Sequence, residues 1–166
     1  MFKLSREADL SPIALEFEVD RRTAFVSFTS AAAFDPVPGI RVTSAPTDAT
    51  FRLFEAQGHD RAWLEPLLRG GKAFACVLER DSEPLSACFA FENYGAVWEI
   101  GGVVTAPSYR RMGLGRRVVG TALAELGERK LIPRYQVEES NEASIGLARA
   151  VGLAPFLTIV HYAHAC

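Results

Sequence analysis

The six residues Arg110-Arg111-Met112-Gly113-Leu114-Gly115 have the composition of an anion cradle. Two glycines let a backbone turn tightly and approach a ligand, and a helix starting at Leu114 would aim its free N–H groups and positive dipole end at one point. Cations oppose that dipole by roughly 0.3 to 1 kcal/mol each, yet Arg110, Arg111, Arg116 and Arg117 all crowd here. A bound phosphate removes the conflict; a solvated basic turn is the alternative. Two familiar phosphate loops do not fit. A dinucleotide fingerprint needs Gly or Ala where Val118 stands, and a Walker loop needs Lys where Thr121 follows Gly120.

The elements that must hold this loop can be read along the chain. Ile13 to Val19 and Thr23 to Phe28, joined by Asp20-Arg21-Arg22, are predicted to form a hairpin, followed by a Pro-rich linker to Gly39. Ile40 to Thr43 reads as a short strand. Two short helices follow, one from the Ser44 to Asp48 start to Gln57, the other from Asp60 to Leu68. Ala73 to Glu79, Leu85 to Phe91 and Val97 to Thr105 then form an antiparallel meander. Leu114, Val118, Val119, Ala122, Leu123 and Leu126 recur at helical spacing up to about Arg129. Arg134 to Glu138 is a strand, Asn141 to Val151 a helix, and Phe156 to Tyr162 a last strand. This order predicts an α/β mixed sheet, antiparallel in its first part and closing with parallel crossover units, flanked by about four helices.

Composition sets limits. The chain has 166 residues, 49% hydrophobic and 23% charged, which suits one globular catalytic domain. A net charge of −2 gives no reason to expect nucleic acid. No apolar run reaches the ~20 residues of a membrane span, and the charged amino-terminal residues do not resemble a secretory signal. A cytoplasmic protein without membrane partners is expected. Cys76, Cys88 and Cys166 are widely spaced, as in neither a disulfide framework nor a closed zinc site. His161 and His164 lie three apart on a predicted strand, so they point to opposite faces, and no metal is expected.

The pattern Arg110-x-x-Gly113-x-Gly115, preceded by Val103-Val104-Thr105-Ala106-Pro107-Ser108-Tyr109, resembles the pyrophosphate loop of the GNAT superfamily of N-acetyltransferases. Asn141-Glu142-Ala143-Ser144, leading to Val151-Gly152-Leu153, resembles that family's late helix. The likeness runs from about Ile40 to Tyr162 and divides the chain into an extension, residues 1–37, and a GNAT-like domain, residues 38–166. It implies acetyl-CoA as co-substrate, with Val103 and Val104 along the pantetheine arm. It also implies Arg110, Arg111, Met112, Gly113, Leu114, Gly115 and Arg116 around the pyrophosphate, and Asn141 and Ser144 on the arm's far side. Asn141 can equally be a plain helix cap. The expected reaction is acetyl transfer to a primary amine of a small molecule, peptide or protein. A non-catalytic acyl-CoA-binding module is the alternative.

Such transfer needs a base, because an alkyl ammonium with a pKa near 10.4 is almost wholly protonated at neutral pH. Glu99 stands where many GNAT enzymes carry a catalytic or substrate-ordering Glu, and its neighbours Trp98 and Ile100 would raise its pKa. It is either that base or a rim carboxylate pairing with a cationic substrate. Gly101-Gly102 predicts a bulge that frees an amide near Val103 for an oxyanion, or else crowding against a neighbouring helix. Many relatives have a proton-donating Tyr where this chain has Ala148; Tyr135, Tyr162, His161 or solvent would have to substitute. Phe54, Trp63, Phe89, Phe91, Tyr94 and Trp98 are candidates to shape an aromatic acceptor cleft. The hairpin is expected either to extend the sheet or to pair subunits into a homodimer.

Overall fold

The computed structural model describes residues 1–14 and 18–164. Among these are eight strands, five α-helices and one 3-10 turn, in two compact units: one of Met1–Thr29 with the chain from Tyr135 onward, the other Ser30–Arg134. The mixed α/β class expected from the sequence is the class observed.

In the second unit, β3 (Ile40–Thr43), β4 (Ala73–Arg80), β5 (Glu83–Tyr94) and β6 (Val97–Thr105) form the expected antiparallel meander. Asp81 and Ser82, at φ of 51° and 66°, make the tight β4–β5 turn. A two-residue turn with left-handed backbone matches the twist of the strands it joins. Side chains two apart share a face, so Ala73, Ala75 and Val77 of β4 and Ala87 and Phe89 of β5 form one apolar surface. Over it lie α2 (Asp48–Glu55) and α3 (Arg61–Arg69), which contribute Phe51, Phe54, Leu64 and Leu68. Both start where a side chain can cap them. Thr47 accepts from the Thr50 N–H at 3.3 Å and Asp60 from the Ala62 N–H at 2.7 Å.

α4 (Leu114–Glu128) buries Val118, Val119, Ala122, Leu123 and Leu126, the spacing read from the sequence. The Cys88 Sγ donates to the Val118 carbonyl at 3.4 Å, and Arg129, just past the helix end, lies over the Phe74 ring, which stacks on Trp98. Even-numbered residues of β4 and β5 therefore meet α4, and odd-numbered ones meet α2 and α3. Cys76 and Cys88 face each other across β4 and β5 as free, buried thiols. Cys166 lies outside the described residues.

The first unit departs from the hairpin expected at the amino terminus. Ser11–Ala14 is a helical turn (α1), residues 15–17 fall outside the described residues, and β2 is a single strand, Val19–Thr29. Asp20-Arg21-Arg22, read as a turn, lies inside β2. Its register shifts between Arg21 and Thr23, so Arg22 is the extra residue of a bulge. Ion pairs satisfy the charges there, Arg21 with Glu139 and Arg22 with Asp20. Strand pairing has overridden a turn-like composition.

The partners of β2 lie at the other end of the chain. On one side is β7 (Ile132–Glu138) and on the other β8 (Ala154–His164), both antiparallel to it. A short β1 (Phe2–Ser5), not anticipated from the sequence, pairs with the far side of β8. β7 and β8 thus run parallel to each other, and the crossover through α5 (Glu142–Ala150) passes over an intervening strand. The expected parallel connection is present, with the amino-terminal strand in its middle.

Candidate functional site

The loop of the second unit has the backbone its glycines suggested. After β6 the chain makes a 3-10 turn, Pro107–Tyr109, and enters α4 through Gly113, the N-cap residue, at φ 75°. No side chain caps this helix. Its first intrahelical bond runs from the Arg117 N–H to the Gly113 carbonyl, so the amides of Leu114, Gly115 and Arg116 have no acceptor within the helix. Arg111 is also left-handed, at φ 63°, a conformation that costs a non-glycine residue about 1 to 2 kcal/mol. Strain of this size often accompanies functional loops.

The arginines find little inside the protein. Arg110 donates to the Thr105 carbonyl at 3.3 Å and Arg117 to the Pro38 carbonyl at 3.0 Å. Among the described residues, none of Arg110, Arg111, Arg116 and Arg117 pairs with a carboxylate. Arg110, Arg111, Met112, Gly113 and Arg116 are exposed, while Leu114, Gly115 and Arg117 are half-buried. Positive charge and unsatisfied N–H groups coincide at one helix end, a combination that attracts an oxyanion.

The strand leading to the loop carries the expected bulge. Ala87 pairs with Val104 and Phe89 with Gly101, so Gly102 and Val103 together face Cys88 alone. Gly102 has φ 58°, and a Cβ there would lie 2.0 Å from the Phe89 ring, so the bulge and the crowding are the same feature. The crowding comes from the neighbouring strand and not from a helix. One extra residue reverses the facing of the strand: Glu99 and Gly101 share the face of Phe91 and Phe89, and beyond the bulge Val104 takes over on that face. The peptide of Val103 sits where ladder pairing is interrupted.

Glu99 is placed next to this bulge and is four-fifths buried, its Oε2 accepting from Asn93 Nδ2 at 2.6 Å and lying 3.3 Å from Arg134 Nη1. A second irregularity aims Asn93. Glu92 pairs with Trp98 and Tyr94 with Val97, which leaves Asn93 without an opposite residue and turned toward Glu99. Burial pushes the Glu99 carboxyl above its ordinary range, against the opposing pull of Arg134 and the Asn93 hydrogen bond.

An aromatic wall adjoins it. Phe91 is the direct cross-strand partner of Glu99, and the Trp63 ring meets Phe91 edge-on at 5.1 Å while remaining 45% exposed. The His59 imidazole meets Phe89 edge-on at 5.1 Å, and burial lowers its pKa, which favours the neutral ring. Of the six aromatic candidates, Trp63, Phe89 and Phe91 come together here and Phe54 packs behind Phe89. Trp98 stacks on Phe74 on the α4 side, and Tyr94 is exposed at the β5–β6 turn.

The remaining sequence candidates belong to the first unit. Asn141 caps α5, its side chain accepting from the Ser144 N–H at 3.0 Å, and the Ser144 and Tyr135 hydroxyls are 2.6 Å apart. Ala148 is fully buried. His161 meets the Phe25 ring at 5.1 Å. Sequence reasoning missed Asn93, Arg134 and His59. Asn93 reads as an ordinary turn residue, Arg134 as the first residue of a strand, and His59 as a link between helices; only the fold relates them to Glu99 and Phe89. Among the described residues, no group of three or more His, Cys, Asp or Glu could hold a metal ion, and no helix is long and apolar enough to cross a membrane.

Residues 41–153 match the acetyltransferase (GNAT) family. A GNAT acetyltransferase from Colwellia psychrerythraea superposes with a TM-score of 0.76 at 15% identity, over 98% of this chain and 64% of that one. One from Novosphingobium aromaticivorans DSM 12444, described as a putative GNAT acetyltransferase, gives 0.65 at 19% identity, over 90% and 68%. A GCN5-related N-acetyltransferase from Ralstonia eutropha JMP134 gives 0.57 at 23% identity, over 70% and 92%. The chain thus spans about two thirds of the length of the first two. A comparison with curated proteins found no match.

Proposed function

The chain belongs to the GNAT family of acetyltransferases, and on that premise we propose that it transfers an acetyl group from acetyl-CoA to a primary amine by direct attack within a ternary complex. The carrying observation is the uncapped start of α4 at left-handed Gly113, ringed by arginines without carboxylate partners. Its donor set suits a diphosphate: guanidinium groups and backbone N–H groups, with no acidic side chain capping the helix. In this reading Arg110, Arg111, Met112, Gly113, Leu114, Gly115 and Arg116 hold the pyrophosphate, and Val103 and Val104 flank the pantetheine arm. Acetyl-CoA supplies an activated acyl carbonyl.

The chain's own groups do the rest. Glu99 takes one proton from the acceptor ammonium. The freed nitrogen lone pair forms the amide bond as the carbon–sulfur bond breaks, the second nitrogen proton leaves with the thiolate as CoA thiol, and Glu99 returns its proton to solvent. An N–H turned out of the ladder at the bulge would suit the developing oxyanion. The raised pKa of Glu99 makes it a stronger base than an ordinary carboxylate.

A non-catalytic acyl-CoA-binding module is the second reading, favoured by the buried Ala148 where relatives carry a Tyr. Thermal unfolding with CoA and acetyl-CoA tests the donor site. Ligand at about 100 times its dissociation constant adds ~2.7 kcal/mol, a rise of roughly 5 to 10 °C for a chain of this size. Arg110→Glu should abolish the rise. Absence of any shift in the parent protein at millimolar CoA would defeat the proposal. A normal shift with no acetyl transfer to a broad amine panel would favour the binding module.

A further inference from the structure

The polar contacts around Glu99 leave two complementary vacancies. Asn93 and Arg134 both approach Oε2, and Oε1 accepts no hydrogen bond among the described residues. Arg134 is itself four-fifths buried, with its 3.3 Å ion pair to Glu99 and no side-chain hydrogen bond among the described residues. A guanidinium has five N–H donors, and enclosing one with so little pairing is costly unless an acceptor arrives. An enclosed carboxylate oxygen and an enclosed cation, side by side, call for a ligand with a cation and an anion equally close together. Next to them, Phe91 and the half-exposed Trp63 offer apolar surface.

We infer that the acceptor amine is a free α-amino acid with an aromatic or other large apolar side chain, its ammonium on Glu99 Oε1, its carboxylate on Arg134 and its side chain against Phe91 and Trp63. This rests on the acetyl-transfer reading and adds the acceptor class to it. The arrangement alternates charge: Glu99, ammonium, carboxylate, Arg134. Each charge then has an opposite neighbour, and no buried charge is left alone. The same geometry excludes others. A polyamine would bring a second cation toward Arg134, and an amine lacking a carboxylate would leave the guanidinium donors empty.

The experiment compares three acceptors with acetyl-CoA, following CoA thiol release and the acetylated product by mass: L-phenylalanine, 2-phenylethylamine and spermidine. The first two differ only in the carboxylate. A charge-assisted pair of this kind predicts a kcat/KM for L-phenylalanine about tenfold to a hundredfold above that for 2-phenylethylamine, with spermidine lowest. Arg134→Gln should bring the ratio of the first two toward one, chiefly through KM. If 2-phenylethylamine or spermidine equals or exceeds L-phenylalanine in the parent protein, or Arg134→Gln leaves the ratio unchanged, the inference is overturned. CoA binding read by thermal shift in the same preparation separates the failures. A shift with no amino-acid acetylation removes the acceptor class alone, and no shift removes the donor site with it.

Discussion

Replacing Gly102 by Ala tests the bulge on which the candidate oxyanion site depends. The new Cβ would lie 2.0 Å from Phe89 Cε1 and 2.6 Å from Cδ1, inside the contact distance of any real side chain, at a backbone φ of 58°. The left-handed conformation costs an alanine about 1 to 2 kcal/mol, and overpacking against a fully buried ring adds about 1 to 3 kcal/mol. The expected loss is therefore about 2 to 5 kcal/mol, a large part of a typical domain's ~5 to 15 kcal/mol. Urea unfolding with linear extrapolation reads it directly. Gly101→Ala is the internal control. Its Cβ would come within only 3.3 Å of Phe89 Cε2, and its φ lies outside the left-handed range, so a loss of about 1 kcal/mol is expected. Phe89→Leu combined with Gly102→Ala should be less damaging than the two single losses summed, by the overpacking share of about 1 to 3 kcal/mol. If Gly102→Ala stays within about 0.5 kcal/mol of the parent, or the double variant is simply additive, the close approach to Phe89 does not define the bulge.

Glu99→Gln should lower kcat by about a hundredfold to ten-thousandfold while leaving the CoA thermal shift in place; loss of that shift instead would make Glu99 part of the donor site. The rate of the parent enzyme should rise with pH through a value above the usual carboxylate range, because burial holds Glu99 protonated longer, and the Gln variant should lack that limb. The same shift acts on stability with a defined sign. The folded protein binds this proton more tightly than the unfolded chain, so its contribution is present below the ordinary carboxylate pKa and fades as pH rises through the higher folded value. Urea titrations of parent and Gln variant across that window measure it. Asn141→Ala, which removes the α5 cap, should cost about 0.5 to 2 kcal/mol; a neutral result would mean that the cap contributes nothing.

Features written in local chemistry were legible in the sequence. The loop glycines, the Gly101-Gly102 interruption and the helical spacing from Leu114 to Leu126 each concern residues within a few positions of one another, and each appears in the structure as read. The amino-terminal segment was misread because Asp20-Arg21-Arg22 has turn-like composition, whereas its conformation is set by β7 and β8, more than a hundred residues away. Arg134 and Asn93 were invisible for a related reason. One meets Glu99 only through the fold, and the other only because β5 has an unpaired residue near its end. The contacts on which the proposed acceptor class rests are thus the ones that sequence periodicity carries least.

The position of β2 also governs how this polypeptide can be made. β2 is an interior strand of its group, made early, and neither of its neighbours is complete until synthesis passes Glu138 and then His164. Until then its two rows of backbone N–H and C=O groups must wait in water or on a chaperone, and closing so long a span is the slow event in assembly. Deleting the leading thirty or so residues as dispensable would remove β1 together with β2, stripping β8 of both its neighbours and baring one edge of β7, the setting in which sheets recruit strands from other molecules.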